Sequence, residues 1–154
     1  MSASECSSSS LVCRPNVLTG ALLTGVRSID MQHSELFELI EAFESAHAAG
    51  DLATAVGTLL PHLEAYVIFH FSEEEQLMSS LVNEASYIQM HLAQHQSFKD
   101  SLQRICAGFN VKDDEVIVEE LTALLRSWLT QHIATTDVSL GRKLLAQGSH
   151  KLWK

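Results

Sequence analysis

Apolar residues recur at three- and four-residue intervals along four stretches of the chain, the spacing that gathers side chains onto one face of a helix. In the first stretch, from about Asp30 to Ala49, that face carries His33, Leu36, Phe37, Ile40 and Phe43, and Gly50 supplies a C-terminal stop. The second lies between about Leu52 and Leu81 and aligns Leu59, Leu63, Tyr66, Val67, His70, Leu77 and Met78. Pro61 interrupts it, which predicts a kink or a fresh helix start. The third, about Glu84 to Ala107, turns Ile88, His91, Leu92, His95 and Phe98 toward the interior and ends before Gly108. The fourth begins at Asp113 or Asp114, acidic residues suited to the positive end of a helix dipole. It carries Ile117, Leu121, Leu124, Leu125, Trp128, Leu129 and His132. No stretch alternates apolar and polar residues as a strand would. The pattern predicts an all-α fold, an up-down-up-down four-helix bundle.

Composition narrows the function classes. The 154 residues suit one domain, and 46% hydrophobic against 19% charged residues place the chain among globular proteins. A formal net charge of −9 repels phosphate backbones and anionic lipid, so neither nucleic acid nor membrane is an expected partner. No uninterrupted apolar run approaches the ~20 residues of a membrane span. Residues 1–16 lack the basic start and apolar core of a signal peptide. They read as a flexible Ser-rich tail ahead of a bundle domain over 17–154, in a cytoplasmic protein. Cys6, Cys13 and Cys106 are too few and too scattered for a disulfide scaffold, and Cys106 reads as a small buried hydrophobe.

The histidines change the picture most. Five of the eight, His33, His70, His91, His95 and His132, fall on apolar faces. His91 and His95 are four residues apart, about 40° around a helix, so both rings face the same way. His70 and Glu74 repeat that spacing with a carboxylate. His132 and Asp137 are five apart, about 140° in a regular helix. Asp137 therefore joins the others only where the backbone leaves α-geometry, at a helix end or a π-like turn, and Thr135-Thr136 marks a place for such a break. Any one of these pairs is ordinarily a hydrogen-bonded core group or a surface pair. Together they give every helix at least one inward ligand-type side chain. Burying five imidazoles and two carboxylates costs far more than placing Leu there, unless a metal offsets it. His47 lies about 21 Å along the helix from His33, and His62 about 12 Å from His70 and rotated off the face. Both fall outside the cluster, and His150 belongs to the C-terminal segment.

Imidazole with carboxylate suits iron, manganese or zinc. Seven protein ligands are too many for one tetrahedral zinc, which implies two ions. Of the roughly twelve positions on two six-coordinate ions, five histidines fill five, two bridging carboxylates four and a bridging oxygen two. One position is left for a small diatomic ligand.

The order H, HxxxE, HxxxH, HxxxxD over His33, His70, Glu74, His91, His95, His132 and Asp137 resembles the hemerythrin family, the bacterial hemerythrins in particular. The surrounding words IDMQHSELFELI, HFSEEEQLM, HxxxHxxF ending at Phe98 and SWLTQHI match too, and the resemblance covers about Leu22 to Leu145. It implies a non-heme centre of two Fe ions, oxo- or hydroxo-bridged. His91, His95 and His132 would hold one iron, His33 and His70 the other, and Glu74 and Asp137 would bridge them. It also implies O2 binding at the two-histidine iron, in an apolar pocket lined by Trp128, for carriage, storage or sensing.

Three places depart from the family. LVNEASY lacks the usual Gly-Tyr-Pro before the third helix, Leu140 stands where a tyrosine often follows the bridging aspartate, and VLTGALLTGV replaces an aromatic before the first helix. None removes a ligand. A ferritin-like enzyme would need two Glu-x-x-His motifs, and the one present, Glu44 to His47, lies four turns from the cluster. A di-iron oxidase or peroxide-consuming enzyme on the same scaffold is the alternative. Five neutral histidines stabilise high-valent iron poorly, which favours reversible binding without catalysis.

Overall fold

The computed structural model describes residues 20–109 and 111–148; the Ser-rich tail, the first residues of the expected domain and the segment holding His150 lie outside them. Among the described residues there is no strand. Helix α1 spans Arg27–Ala48, α2 Leu52–Met78, α3 Ala85–Ala107, and α4 runs over 114–146. Both α1 and α3 contact α2 and α4, which closes a ring of four helices joined by short links.

Helix α1 begins three residues before the expected start at Asp30 because its first turn satisfies the chain leading into it. The Thr24 N–H and hydroxyl both donate to Asp30 Oδ1 at 2.8 Å, and the Gly25 N–H donates to Oδ2 at 3.2 Å. This turn crosses α4 at Gly141, where a Cβ would stand 2.0 Å from the Thr24 carbonyl oxygen. Only glycine fits there. At the other end of α1, Gly50 takes a φ of 68°, and Asp51 accepts from the Thr54 N–H at 3.2 Å to start α2.

Pro61 does not break α2. A π-helical turn, Ala55–Leu59, precedes it, and the α-helical part Leu60–Met78 begins around it, where a missing N–H costs least. The helix stops at Met78 rather than Leu81. Asn83, at φ 61°, makes the left-handed step that the missing glycine would have made. Gln147 then clasps this corner, accepting from the Val82 N–H at 2.8 Å and donating to its carbonyl at 3.1 Å. By length and composition Leu52–Met78 would also suffice to cross a membrane, although no uninterrupted apolar run exists. In this fold its inner face is buried in the bundle.

Two apolar clusters fill the interior. The larger includes Leu36, Ile40, Phe43, Leu63, Phe71, Phe98, Leu121, Leu125 and Ile133. The smaller is Val26, Ile29, Leu77, Met78, Leu81, Leu140 and Leu144, so Leu140 and Val26 fill the end where the family departures lie. His33, His70 and Asp137 each fall in sequence between a residue of one cluster and a residue of the other. Two expected core positions differ. Leu92 is 39% exposed because it sits a full 100° around α3 from His91. Cys106 is only half-buried, its Sγ 3.9 Å from Glu64 Oε1.

Candidate metal centre

All seven sequence-selected residues meet in one place. His33, His70, Glu74, His91, His95 and Asp137 are wholly inaccessible, and His132 is 3% exposed. The positions on α1, α2 and α3 follow from regular helical spacing. Asp137 does not. The segment Leu129–Asp137 of α4 is π-helical, which aligns residues five apart and brings Asp137 onto the His132 face. The Thr135 hydroxyl back-bonds to the Gln131 carbonyl inside that segment.

The ligand-type atoms fall into two groups, each with all members within 4.8 Å of one another. One comprises Glu74, His91, His95, His132 and Asp137, the other His33, His70, Glu74 and Asp137. Both carboxylates belong to both groups. Asp137 lies 2.8 Å from His132 Nε2, 3.1 Å from His91 Nε2 and 3.2 Å from His33 Nε2. Glu74 lies 3.1 Å from His95 Nε2 and 3.6 Å from His70 Nε2.

Most of these short distances are not hydrogen bonds. His33 Nδ1 and Nε2, the Nε2 atoms of His70, His91 and His132, Glu74 Oε1 and both Asp137 oxygens have no partner. Seven of these, all but His33 Nδ1 on the outer edge of its ring, converge in one dry space, where each would carry a desolvation penalty of ~1–3 kcal/mol. Lone pairs aimed at common points are what a cation needs, so this donor set fits bound metal ions.

The outer ring nitrogens are held in the matching tautomer. His70 Nδ1–H donates to Gln32 Oε1 and His132 Nδ1–H to Gln94 Oε1, each at 2.6 Å. His95 Nδ1–H reaches Glu75 Oε1 at 3.2 Å. The Tyr87 hydroxyl donates to the Thr136 carbonyl at 2.7 Å and so accepts from His91 Nδ1–H at 3.2 Å. Amide oxygens and carboxylates accept only, so the proton sits on Nδ1 and the Nε2 lone pair faces inward. Gln32 is itself anchored to Glu73, and Gln94 also accepts from the Thr136 hydroxyl at 2.8 Å. Sequence reasoning missed these four supports. Their only signal is a polar residue beside a ligand, or one turn from it, on a helix whose outer face is already well supplied with charge.

Burial followed by the His33 charge depresses His70 to about 3, while burial and His91 depress His95. Burial also lowers His132. Burial, then the Asp137 charge, raises Glu74. Burial works against the charge of Asp137, but His132, His33 and His91 hold it well below the usual carboxylate range.

Trp128 stacks on His132, rings 3.6 Å apart and 15° from parallel, and also faces Phe71 and Phe98. A cleft of about 380 Å³ opens beside it between α3 and α4, lined by Gln94, Phe98, Gln131 and His132 among others. A larger groove of about 1110 Å³ along Ile68 and Phe69 is lined by none of the seven residues. The two excluded histidines lie elsewhere, His47 near Glu115 and Glu119, His62 bonded to Glu35 at 3.0 Å.

Residues 24–144 match the family model described as the hemerythrin HHE cation binding domain. Among curated proteins, the chain is 30% identical over 116 residues to a bacteriohemerythrin of Pseudomonas paraeruginosa, covering 75% of this chain and 72% of that one. It is 29% identical over 126 residues to a bacteriohemerythrin of Methylococcus capsulatus, covering 80% and 91% respectively. With one from Clostridium acetobutylicum the figures are 26% over 121 residues, 73% and 88%. No solved structure matches the chain significantly. A match across residues 24–144, together with relatives near 30% identity over most of both chains, shows that the chain belongs to the hemerythrin family.

Proposed function

We propose that the protein binds O2 reversibly at a centre of two iron ions. The observation that carries this reading is the pair of overlapping ligand groups sharing Glu74 and Asp137. His91, His95 and His132 would hold one iron, His33 and His70 the other, with both carboxylates bridging. Iron would supply the electrons and the open position that a diatomic ligand needs. The chain's own contribution is positional. Gln32, Gln94, Glu75 and Tyr87 keep the Nε2 atoms of His70, His132, His95 and His91 turned inward. The aromatic wall of Phe71, Phe98 and Trp128, stacked on His95 and His132, would limit water on that side of the centre. Five neutral imidazoles leave the centre little net anionic charge with which to stabilise highly oxidised iron, which supports carriage, storage or sensing over catalysis.

The test is to load the protein with iron, reduce it without oxygen, and alternate O2 and argon in a sealed cuvette. A coloured species that forms and bleaches over repeated cycles supports reversible binding. A single conversion that argon does not reverse, with steady consumption of peroxide or of an added substrate, would show an oxidase or peroxide-consuming enzyme instead.

A further inference from the structure

Nine buried side-chain polar atoms among the described residues lack a hydrogen-bond partner, and eight of them sit on the candidate ligands. The ninth is the hydroxyl of Tyr66. Tyr66 is 5% exposed, and its ring stacks on that of His70 with centroids 5.2 Å apart and planes 19° from parallel. The His70 ring meets that of His33 edge-on at 5.0 Å, so Tyr66 flanks the two-histidine half of the cluster. It belongs to the apolar cluster that contains Leu36, Phe71, Leu129 and Ile133.

The other described tyrosine behaves differently. Tyr87 places its proton on the Thr136 carbonyl. Phenylalanine would occupy the Tyr66 space without the penalty of an unpaired hydroxyl. The orphaned inner atoms of the ligands have a common explanation in bound metal, which leaves His33 Nδ1, on the outer edge of its ring, and the Tyr66 hydroxyl; a phenolic O–H is a donor, and metal does not satisfy it. It calls for an acceptor in the same compartment.

We propose that the Tyr66 hydroxyl donates a hydrogen bond to the small exogenous ligand taken up on the His33–His70 side, making Tyr66 a positioning residue for that ligand. The inference rests on the two-iron reading above. A single donor in an apolar enclosure favours small ligands that carry or gain negative charge on binding, because hydrogen bonds to charged acceptors are the stronger ones. O2 accepting electrons from iron and a linear anion such as azide share this chemistry.

The experiment compares the oxidised, iron-loaded protein with its Tyr66→Phe variant in azide titrations, reading visible absorbance and the infrared stretch of bound azide. Metal-free melting of both proteins is measured alongside. The variant should keep two irons, bind azide about tenfold more weakly, and shift the azide stretch. Its metal-free form should melt no lower than the parent, because an orphaned hydroxyl has been removed. Equal affinity with an unchanged stretch in a fully loaded variant overturns the role of Tyr66 alone. A variant that loses iron or melts well below the parent assigns Tyr66 to holding the fold and also overturns it. A parent protein that loads two irons but takes no azide overturns the ligand reading and this inference together.

Discussion

Nε2 of His132 lies 2.8 Å from Oδ1 of Asp137, across the part of α4 that widens from α- to π-helix. Such widening is uncommon, since π-helix is rare and is found mostly as short insertions in α-helices, frequently at functional sites. Its consequence is that one aspartate approaches histidines from α1, α3 and α4 at once. Glu74 does the same from α2 with no irregularity, because His70 and Glu74 already share a face at four-residue spacing. The two carboxylates thereby join the two histidine groups.

Ligands and bystanders should separate cleanly. His70→Ala or Glu74→Ala removes a wholly buried group that approaches the shared centre, and is expected to leave at most one labile iron per chain. His47→Ala and His62→Ala alter exposed ion pairs with Glu115, Glu119 and Glu35, and should retain both irons. Iron analysis after desalting checks this. Equal losses in all four variants would contradict the assignment.

The outer supports should matter through affinity. Gln32→Leu and Gln94→Leu each remove the acceptor that fixes an Nδ1 proton, at His70 and His132 respectively. Losing such a support typically weakens metal binding about 10–100-fold. Chelator competition measures it, and an affinity within twofold of the parent would show that the amides do not orient the rings.

Acid should destabilise the metal-free protein. His70, lowered from 6.5 to about 3, stays neutral in the fold but takes a proton on unfolding, and His95 and His132 are lowered in the same direction. Glu74 acts oppositely, because its raised pKa lets the folded state hold a proton that the unfolded state releases above about 4.5. His91, raised to about 9 by Asp137 and Glu74 against the effect of burial, is protonated in both states below 6.5. Between about 4.5 and 6.5 three imidazoles outweigh one carboxyl, so the unfolded state binds more protons and stability falls as pH falls. Melting temperatures at pH 7 and pH 5 should therefore decrease in that order. A rise at pH 5 would contradict it.

Gly141→Ala tests how the N-terminal turn is seated. The added Cβ would stand 2.0 Å from the Thr24 carbonyl oxygen, a clash with backbone that only movement of the turn relieves. A loss of about 1–3 kcal/mol or more in chemical denaturation is expected. Unchanged stability would mean that the turn does not lie against α4.

Much of this arrangement was legible from spacing. Apolar stripes located four helices, five histidines on those stripes come together in the fold, and the 140° separation of His132 and Asp137 required a departure from α-geometry that the π-helix supplies. What escaped depends on contacts between distant segments. The early start of α1 comes from Asp30 reaching back to Thr24, and Asn83 in a left-handed step replaces a glycine signal. Gln32 and Gln94 sit beside His33 and His95 in sequence but support His70 and His132 on other helices. Tyr66 read as one more apolar stripe position, since periodicity shows that a side chain is buried but not whether its hydroxyl finds a partner. Leu92 reads as inward from its neighbour His91, although a one-residue offset turns a side chain about 100° away, whereas Cys106 shares the His95 face but sits in the last turn of α3 and is only partly covered.

The central claim is that seven side chains from four helices hold two ions through two shared carboxylates. Crystallographic anomalous scattering recorded at the iron absorption edge on the iron-loaded protein tests it most directly. Two peaks are expected about 3.5 Å apart, one among the Nε2 atoms of His91, His95 and His132 and one beside those of His33 and His70, with Glu74 and Asp137 between them. A single peak, or none within this cluster, would contradict the account.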